Sequence, residues 1–413
     1  MKAKYIYECV DCGKQIPAEE IVYLCPECSS NQLPNQPPLG VLKTIYDYES
    51  LQKFSFEQLK ANLFFDVLPI NHKESFSFLK VGETPLYKVD QLNEDALGFQ
   101  LYLKDDSQNP TFSFKDRASS IVSAYAKEHN INTLVAASTG NAGSSLAGIC
   151  ASQKQKAIIF APASAPKAKL TQIVMYGATL VPVDGNYDMA FDLSIEASKD
   201  FGWYNRNTAF NPLTIEGKKT VSFELYDQLQ QQIPDKIFVP VGDGVIISGV
   251  YKGFEDLLRI GIIEKMPVIV AVQAKGSCNI VHNLKTSVFE SIPSNTIADS
   301  ISVDIPRNFF MAKQFLSTYS GESCIVSDED ILKASALLSQ NTGIFSEPAA
   351  AAAFAGMLQY KEKGLFNDKE KVVVLLTGSG LKDLNSVQKI ISIPQAVKPN
   401  MESLMEFLKD KSI

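Results

Sequence analysis

The stretch NPTFSFKDR, Asn109 to Arg117, sets a lysine beside a short proline- and aromatic-containing loop, where its amine could hold a carbonyl compound as an imine. Most lysines are solvated surface charges, so Lys115 alone carries little weight. Its company changes that. Downstream stand STGNAGSS at Ser138 to Ser145, VPVGDGVIIS at Val239 to Ser248 and VVVLLTGSGLKD at Val372 to Asp383, each a loop of small residues directly following an apolar, β-rich run. In the second of these, Gly242, Asp243, Gly244, Val245 and Ile246 lie between a strand and a predicted helix. Bare backbone N–H groups and a helix N-terminus at such a place can bind a dianion without a lysine.

Outward from these loops the chain alternates strand and helix. NTLVAAST, QKAIIFAPA, ATLVPVDG, KIFVPVG, PVIVAVQA and KVVVLLTG are short β-like runs, and KAKLTQIVMYG between two of them has helical spacing. Apolar strands buried on both faces and separated by helices predict right-handed βαβ crossovers and mainly parallel sheets, an α/β fold. The alanine run Ala349 to Phe354, following SEP, is predicted to begin a packed helix, and no internal repeat is present.

The chain has 413 residues, 45% of them hydrophobic, enough for two or three domains with proper cores. A net charge of -7 without a dense Lys/Arg block argues against nucleic-acid binding, although a few local cations can still meet an anionic substrate. MKAKYIYECVDCG lacks an apolar signal core and no run is long enough for a membrane span, so a cytoplasmic location is expected. Cys9, Cys12, Cys25 and Cys28 form two C-x-x-C pairs separated by twelve residues, the spacing of two knuckles facing one tetrahedral zinc ion. Four thiolates close the coordination sphere, so the ion would be structural. Cys150, Cys278 and Cys324 are scattered and read as inert thiols; His72, His129 and His282 are unclustered, which suggests neither a triad nor a catalytic metal. Ser29 to Gly40 is a proline-rich tether, and the aromatic-rich stretch from Tyr46 to about Lys80 is expected to pack over the main body.

Taken in order, the four loops resemble the fold-type II pyridoxal 5'-phosphate (PLP) enzymes, the tryptophan synthase β-like family, and most closely its threonine-synthase branch; the resemblance spans roughly residues 80 to 385, opening at GETPLYKV, Gly82 to Val89. It implies a homodimer whose chains have two parallel-sheet α/β domains, a large PLP-binding domain over 81–124 and 201–413 with a small one over 125–200 inserted, preceded by the zinc ribbon at 1–35 and a linker and extension at 36–80. It also implies that Lys115 carries PLP and moves protons at the substrate Cα, that Asn141 sits beside the phenolic oxygen, that Gly242 to Ile246 cradle the phosphate, and that Thr377 faces the pyridine nitrogen. Ser138 and Thr139 would receive a substrate carboxylate.

The sequence departs from threonine synthase where that enzyme meets the phosphate of O-phosphohomoserine. After STGN the family threonine is Ala142, and the asparagine, serine and arginine of a family string like NSVNPYRLEGQKT fall on Thr208, Ala209 and Thr214 of TAFNPLTIEGKKT. A family asparagine becomes Asp243, which would repel a phosphate unless protonated or turned away. Lys218, one helical turn beyond Thr214, is a candidate replacement cation. These changes resemble the cysteate synthase offshoot of the branch, implying O-phospho-L-serine and sulfite as substrates, with threonine synthase (O-phospho-L-homoserine and water) and cysteine-synthase-like sulfide addition as alternatives. A non-catalytic PLP-fold protein that contacts a partner through its ribbon is the alternative of another class, opposed by the retained Lys115, Asn141 and Thr377.

Overall fold

The structure, a computed structural model, describes residues 4–388 and 390–410. The N-terminal sheet is antiparallel, with strands β1 (Tyr5–Cys9), β2 (Gln15–Pro17) and β3 (Leu42–Tyr46) in the order β2-β1-β3. The ribbon's sheet therefore continues past residue 35, the limit expected from the sequence. Prolines interrupt Ser29 to Gly40, but the chain then returns to fill the open edge of β1, and five residues of alternating burial are too short a signal to show this in isolation.

The main body is α/β. Strands β4 (Leu86–Leu92) and β5 (Asp95–Asp105) form an antiparallel hairpin at the edge of the large sheet. The small sheet consists of β6 (Thr133–Ala137), β7 (Lys156–Pro162), β8 (Thr179–Val183) and β9 (Tyr204–Asn205), all parallel, in the order β8-β7-β6-β9. β10 (Lys236–Pro240), β11 (Val268–Ala274), β12 (Glu322–Val326) and β13 (Lys371–Leu376) complete the large sheet in the order β12-β11-β10-β13-β5-β4. The two-residue β9 lies beyond the small-domain limit of 200 expected from the sequence, and it carries the chain back toward the large domain along the edge of β6. Ala349 to Phe354 lie in the helix Pro348–Glu362, whose small side chains let it pack closely against β10, β11 and β13. The aromatic stretch after the ribbon covers the body through Phe56 against Tyr226 and Phe64 stacked on Phe223, both with ring centroids 4.8 Å apart. Among the described residues no helix is long and apolar enough to cross a membrane.

One buried ion network fixes the start of the helix Lys115–Glu128. The Arg117 guanidinium, on that helix's first turn, pairs with Asp106 (2.6 Å) and Glu224 (2.5 Å), and Lys104 reaches Glu224 at 2.7 Å. Burial favours the neutral form of Glu224, but Arg117 and Lys104 outweigh it and hold the carboxyl down at about 2, against an ordinary 4.5. The unfolded chain therefore binds this proton first as pH falls. Stability on the order of 3 kcal/mol is present above pH ~4.5 and is lost as pH drops toward 2. Chemical denaturation at stepped pH should show Glu224→Gln with a flatter stability profile than wild type across that window, and identical slopes would refute the assignment.

Candidate active site

Lys115 begins its helix directly after a loop that is clamped onto the end of β13. The Phe114 N–H donates to the Thr377 carbonyl at 2.9 Å, and Ser113 bridges to Gly378. The side chain is half-buried in the wall of a cavity of about 420 Å³. Burial lowers its pKa; nearby Glu347 opposes that shift and Arg206 adds to it. A lysine held this way has more neutral amine at neutral pH than a surface lysine, as a nucleophile and proton carrier requires.

The cavity gathers loops that follow β6 and β10, at the carboxyl ends of parallel strands. After β10, Gly242, Asp243 and Gly244 lead into the helix Val245–Ile260. Gly244 has φ +85°, and a Cβ on Gly242 would sit 2.8 Å from the Ile301 Cα, so the loop is kept bare by both conformation and space. Asp243 is turned toward the neighbouring chain, its carboxylate accepting from the Arg307 N–H at 3.1 Å. Burial pushes its pKa up, against the pull of Arg307. Both features reduce the repulsion of a phosphate that its charge would otherwise cause.

After β6, Ser138, Thr139, Gly140 and Asn141 line the same cavity, with Asn141 opening the helix Asn141–Gln153. The Asn141 amide donates to both Glu347 carboxylate oxygens at 3.0 Å. Lys115, Ser138, Thr139, Asn141, Lys218 and Gly242 to Ile246 are thus brought to one cavity. Thr377 is buried just behind, outside that lining, with its carbonyl spent on the Phe114 N–H.

Two cations dominate the far wall. Lys218 ends the helix Leu213–Lys218 and is fully buried, its ammonium donating to the Thr214 carbonyl at 3.3 Å. Burial, then Arg206, then Lys115 drive its pKa down. Arg206 follows β9; it is also fully buried, and donates to the Ser119 hydroxyl (3.2 Å), the Thr208 hydroxyl (3.1 Å) and the Lys115 carbonyl (3.5 Å). Burial pushes it down to about 10. Neither forms an ion pair among the described residues. By contrast, Thr214 turns its hydroxyl to the Asn211 carbonyl at 2.8 Å, away from the cavity.

Sequence reasoning missed Arg206 and Glu347. The signals were an arginine between two asparagines in NRN, right after the aromatic WY, and the carboxylate of SEP, which was read only as a helix start. The glycine cradle ahead of a long helix and a lysine of lowered pKa in the same cavity suit a phosphate-bearing aldehyde cofactor. Residues 78–378 match the family described as pyridoxal-phosphate dependent enzyme.

The chain belongs to the pyridoxal-phosphate-dependent enzyme family. It is 34% identical over 415 residues to threonine synthase of Methanocaldococcus jannaschii, covering 98% of this chain and 100% of that one. To threonine synthase of Bacillus sp. (strain ULM1) it is 38% identical over 319 residues, 76% of this chain and 88% of the relative. Among solved structures, the processed form of threonine deaminase isoform 2 from Solanum lycopersicum superposes with TM-score 0.66 at 24% identity, over 83% of this chain and 93% of the other. Maize serine racemase gives 0.62 at 22%, over 80% and 94%. These two show the shared fold of this PLP enzyme.

At the N-terminus the Sγ atoms of Cys9, Cys12, Cys25 and Cys28 lie within 4.8 Å of one another, Cys9 3.7 Å from Cys28 and Cys12 3.9 Å from Cys25. Thiolates ~2.3 Å from a tetrahedral zinc would be about 3.8 Å apart, so the cluster fits that ion.

Proposed function

We propose that this enzyme replaces the phosphate of O-phospho-L-serine with sulfite, releasing L-cysteate and inorganic phosphate, and that its ribbon holds a structural zinc on Cys9, Cys12, Cys25 and Cys28. The observation that carries the substrate reading is the pair of buried cations, Arg206 and Lys218, neither ion-paired, on the wall of the cavity that holds Lys115. A buried cation without a carboxylate partner is costly unless an anion joins it, so the wall is matched to a ligand's negative charge. The arginine that threonine synthase would carry at Thr214 is replaced by a guanidinium whose Nη2 is 3.5 Å from the Lys115 carbonyl. An anion held so near Lys115 suits a leaving group on Cβ, one carbon closer to the reacting lysine than in phosphohomoserine.

PLP bound between Lys115 and the Gly242 to Ile246 loop would supply the electron sink for loss of the substrate's Cα proton. Ser138 and Thr139 orient the substrate carboxylate through hydroxyl and backbone donors. Lys115 takes the Cα proton. Arg206 and Lys218 meet the charge that grows on the phosphate oxygens as the Cβ–O bond breaks. The same two cations then hold sulfite while its sulfur lone pair forms the bond to Cβ, and Lys115 returns a proton to Cα.

A second reading, threonine formation from phosphohomoserine, is supported by the full-length likeness to the Methanocaldococcus enzyme. Phosphate release separates the two. Release from phosphoserine should accelerate when sulfite is added, while phosphohomoserine should be turned over about two orders of magnitude less well, given the lost contacts at Ala142, Ala209 and Thr214. Efficient release from phosphohomoserine alone would overturn the substrate assignment.

A further inference from the structure

We infer that the ribbon is a positioning module for the anion-binding wall, with Tyr23 as its principal positioning residue. The inference rests on the proposed reading only in taking Arg206 and Lys218 to meet an anion. Tyr23 lies two residues before Cys25 in the sequence, yet its hydroxyl accepts a hydrogen bond from the Asn205 N–H at 2.9 Å, the residue before Arg206. Its ring stacks on Phe210 with centroids 4.6 Å apart and planes 19° apart, and lies 6.0 Å from the Tyr204 ring. One ribbon side chain therefore holds both ends of the short segment that carries Arg206 and Thr208.

That segment needs holding. Ala209 is buried with φ +63°, a left-handed conformation that is unfavourable for alanine and persists only where the flanks fix it. β9 contributes only two residues of strand pairing. The second cation is tied to the ribbon as well. The Tyr46 hydroxyl of β3 donates to Glu216 at 2.5 Å, and the Thr44 hydroxyl donates to the other oxygen of the same carboxylate. Glu216 sits in the helix that ends at Lys218 and also pairs with buried Lys219. Tyr23, Thr44 and Tyr46 are all absent from the cavity lining, so they act on bound anions through the residues they hold. Displacing a charged group by about 1 Å in such a site is enough to weaken its action substantially.

The test uses the holoenzyme with inorganic phosphate as the probe, measured by isothermal titration calorimetry, beside steady-state kinetics with phosphoserine and with phosphohomoserine. Tyr23→Phe removes one hydroxyl and keeps the stacking. It should raise the phosphate Kd and the KM of the preferred phosphorylated substrate about 3- to 10-fold, the range of one net hydrogen bond, with kcat and cofactor absorbance unchanged. Tyr23→Ala should have a larger effect in the same direction. If that variant does not fold, Tyr46→Phe tests the second arm and should also raise phosphate Kd. Wild-type Kd and KM in both Tyr→Phe variants would overturn the inference, as would a fall in kcat and cofactor occupancy at unchanged KM. Failure of the wild-type enzyme to bind phosphate at all would remove the anion wall and this inference with it. A KM effect confined to phosphohomoserine would instead sustain the positioning role and sink the phosphoserine reading.

Discussion

Lys115→Ala is expected to lower turnover by at least about four orders of magnitude and to abolish covalent retention of PLP. The variant removes both the amine that would hold the cofactor and the base at the substrate Cα. Lys218 is the one competitor in the same cavity, and its pKa is also driven down by burial and by its cationic neighbours. It is fully buried, however, whereas Lys115 is half-buried at the cavity wall, where a carbonyl can reach it. Borohydride reduction of the holoenzyme followed by peptide mapping should place the label on Lys115. Label on Lys218 would reverse the assigned roles of the two residues.

The second large effect is expected at Arg206. Its guanidinium is fully buried, lined up with Thr208 and the Lys115 carbonyl, and without an ion pair among the described residues. Truncation to alanine should therefore remove charge-assisted bonds to the substrate anion, at a cost of about two to three orders of magnitude in kcat/KM. Arg206→Lys should recover only part of this, because an ammonium lacks the planar fork. Stability should move the other way. Without an anion, removing an uncompensated buried cation relieves its desolvation, so the thermal midpoint of Arg206→Ala in phosphate-free buffer should match or exceed that of wild type. The stabilisation that millimolar phosphate gives the wild-type enzyme should disappear in the variant. A variant that is simply unstable in both buffers, with kcat/KM for its remaining folded fraction intact, would assign Arg206 a structural role.

The parts of the molecule that could be read from the sequence were those whose physics is local. A parallel strand buried on both faces shows as a run such as KVVVLL, and a loop that must approach a ligand closely shows as glycine and small residues after it. Two C-x-x-C pairs carry their geometry in their spacing, and the structure brings those four sulfurs together. What the sequence concealed depended on distant partners. Arg206 follows a strand of two residues, below any detectable periodicity, and stands eight positions before the Thr214 site where the family arginine was sought. Glu347 looked like a helix start because its role is set by Asn141, far away in the chain. The orientation of Asp243 is decided by the Arg307 N–H, and the third strand of the ribbon by an open edge on β1. Lys218 could equally have been solvated beside Lys219; both are instead fully buried, one at the cavity and the other paired with Glu216 and Asp256.

The most direct test of the central claim is a competition assay. Purified holoenzyme is given equimolar O-phospho-L-serine and O-phospho-L-homoserine with sulfite in a single mixture, and the amino-acid products are quantified by mass spectrometry. The proposed reading requires L-cysteate as the dominant product, formed only when sulfite is present and nearly lost in Arg206→Ala. Threonine as the dominant product, with phosphoserine recovered intact, would contradict it and identify the rearranged cations as another way of building a phosphohomoserine site.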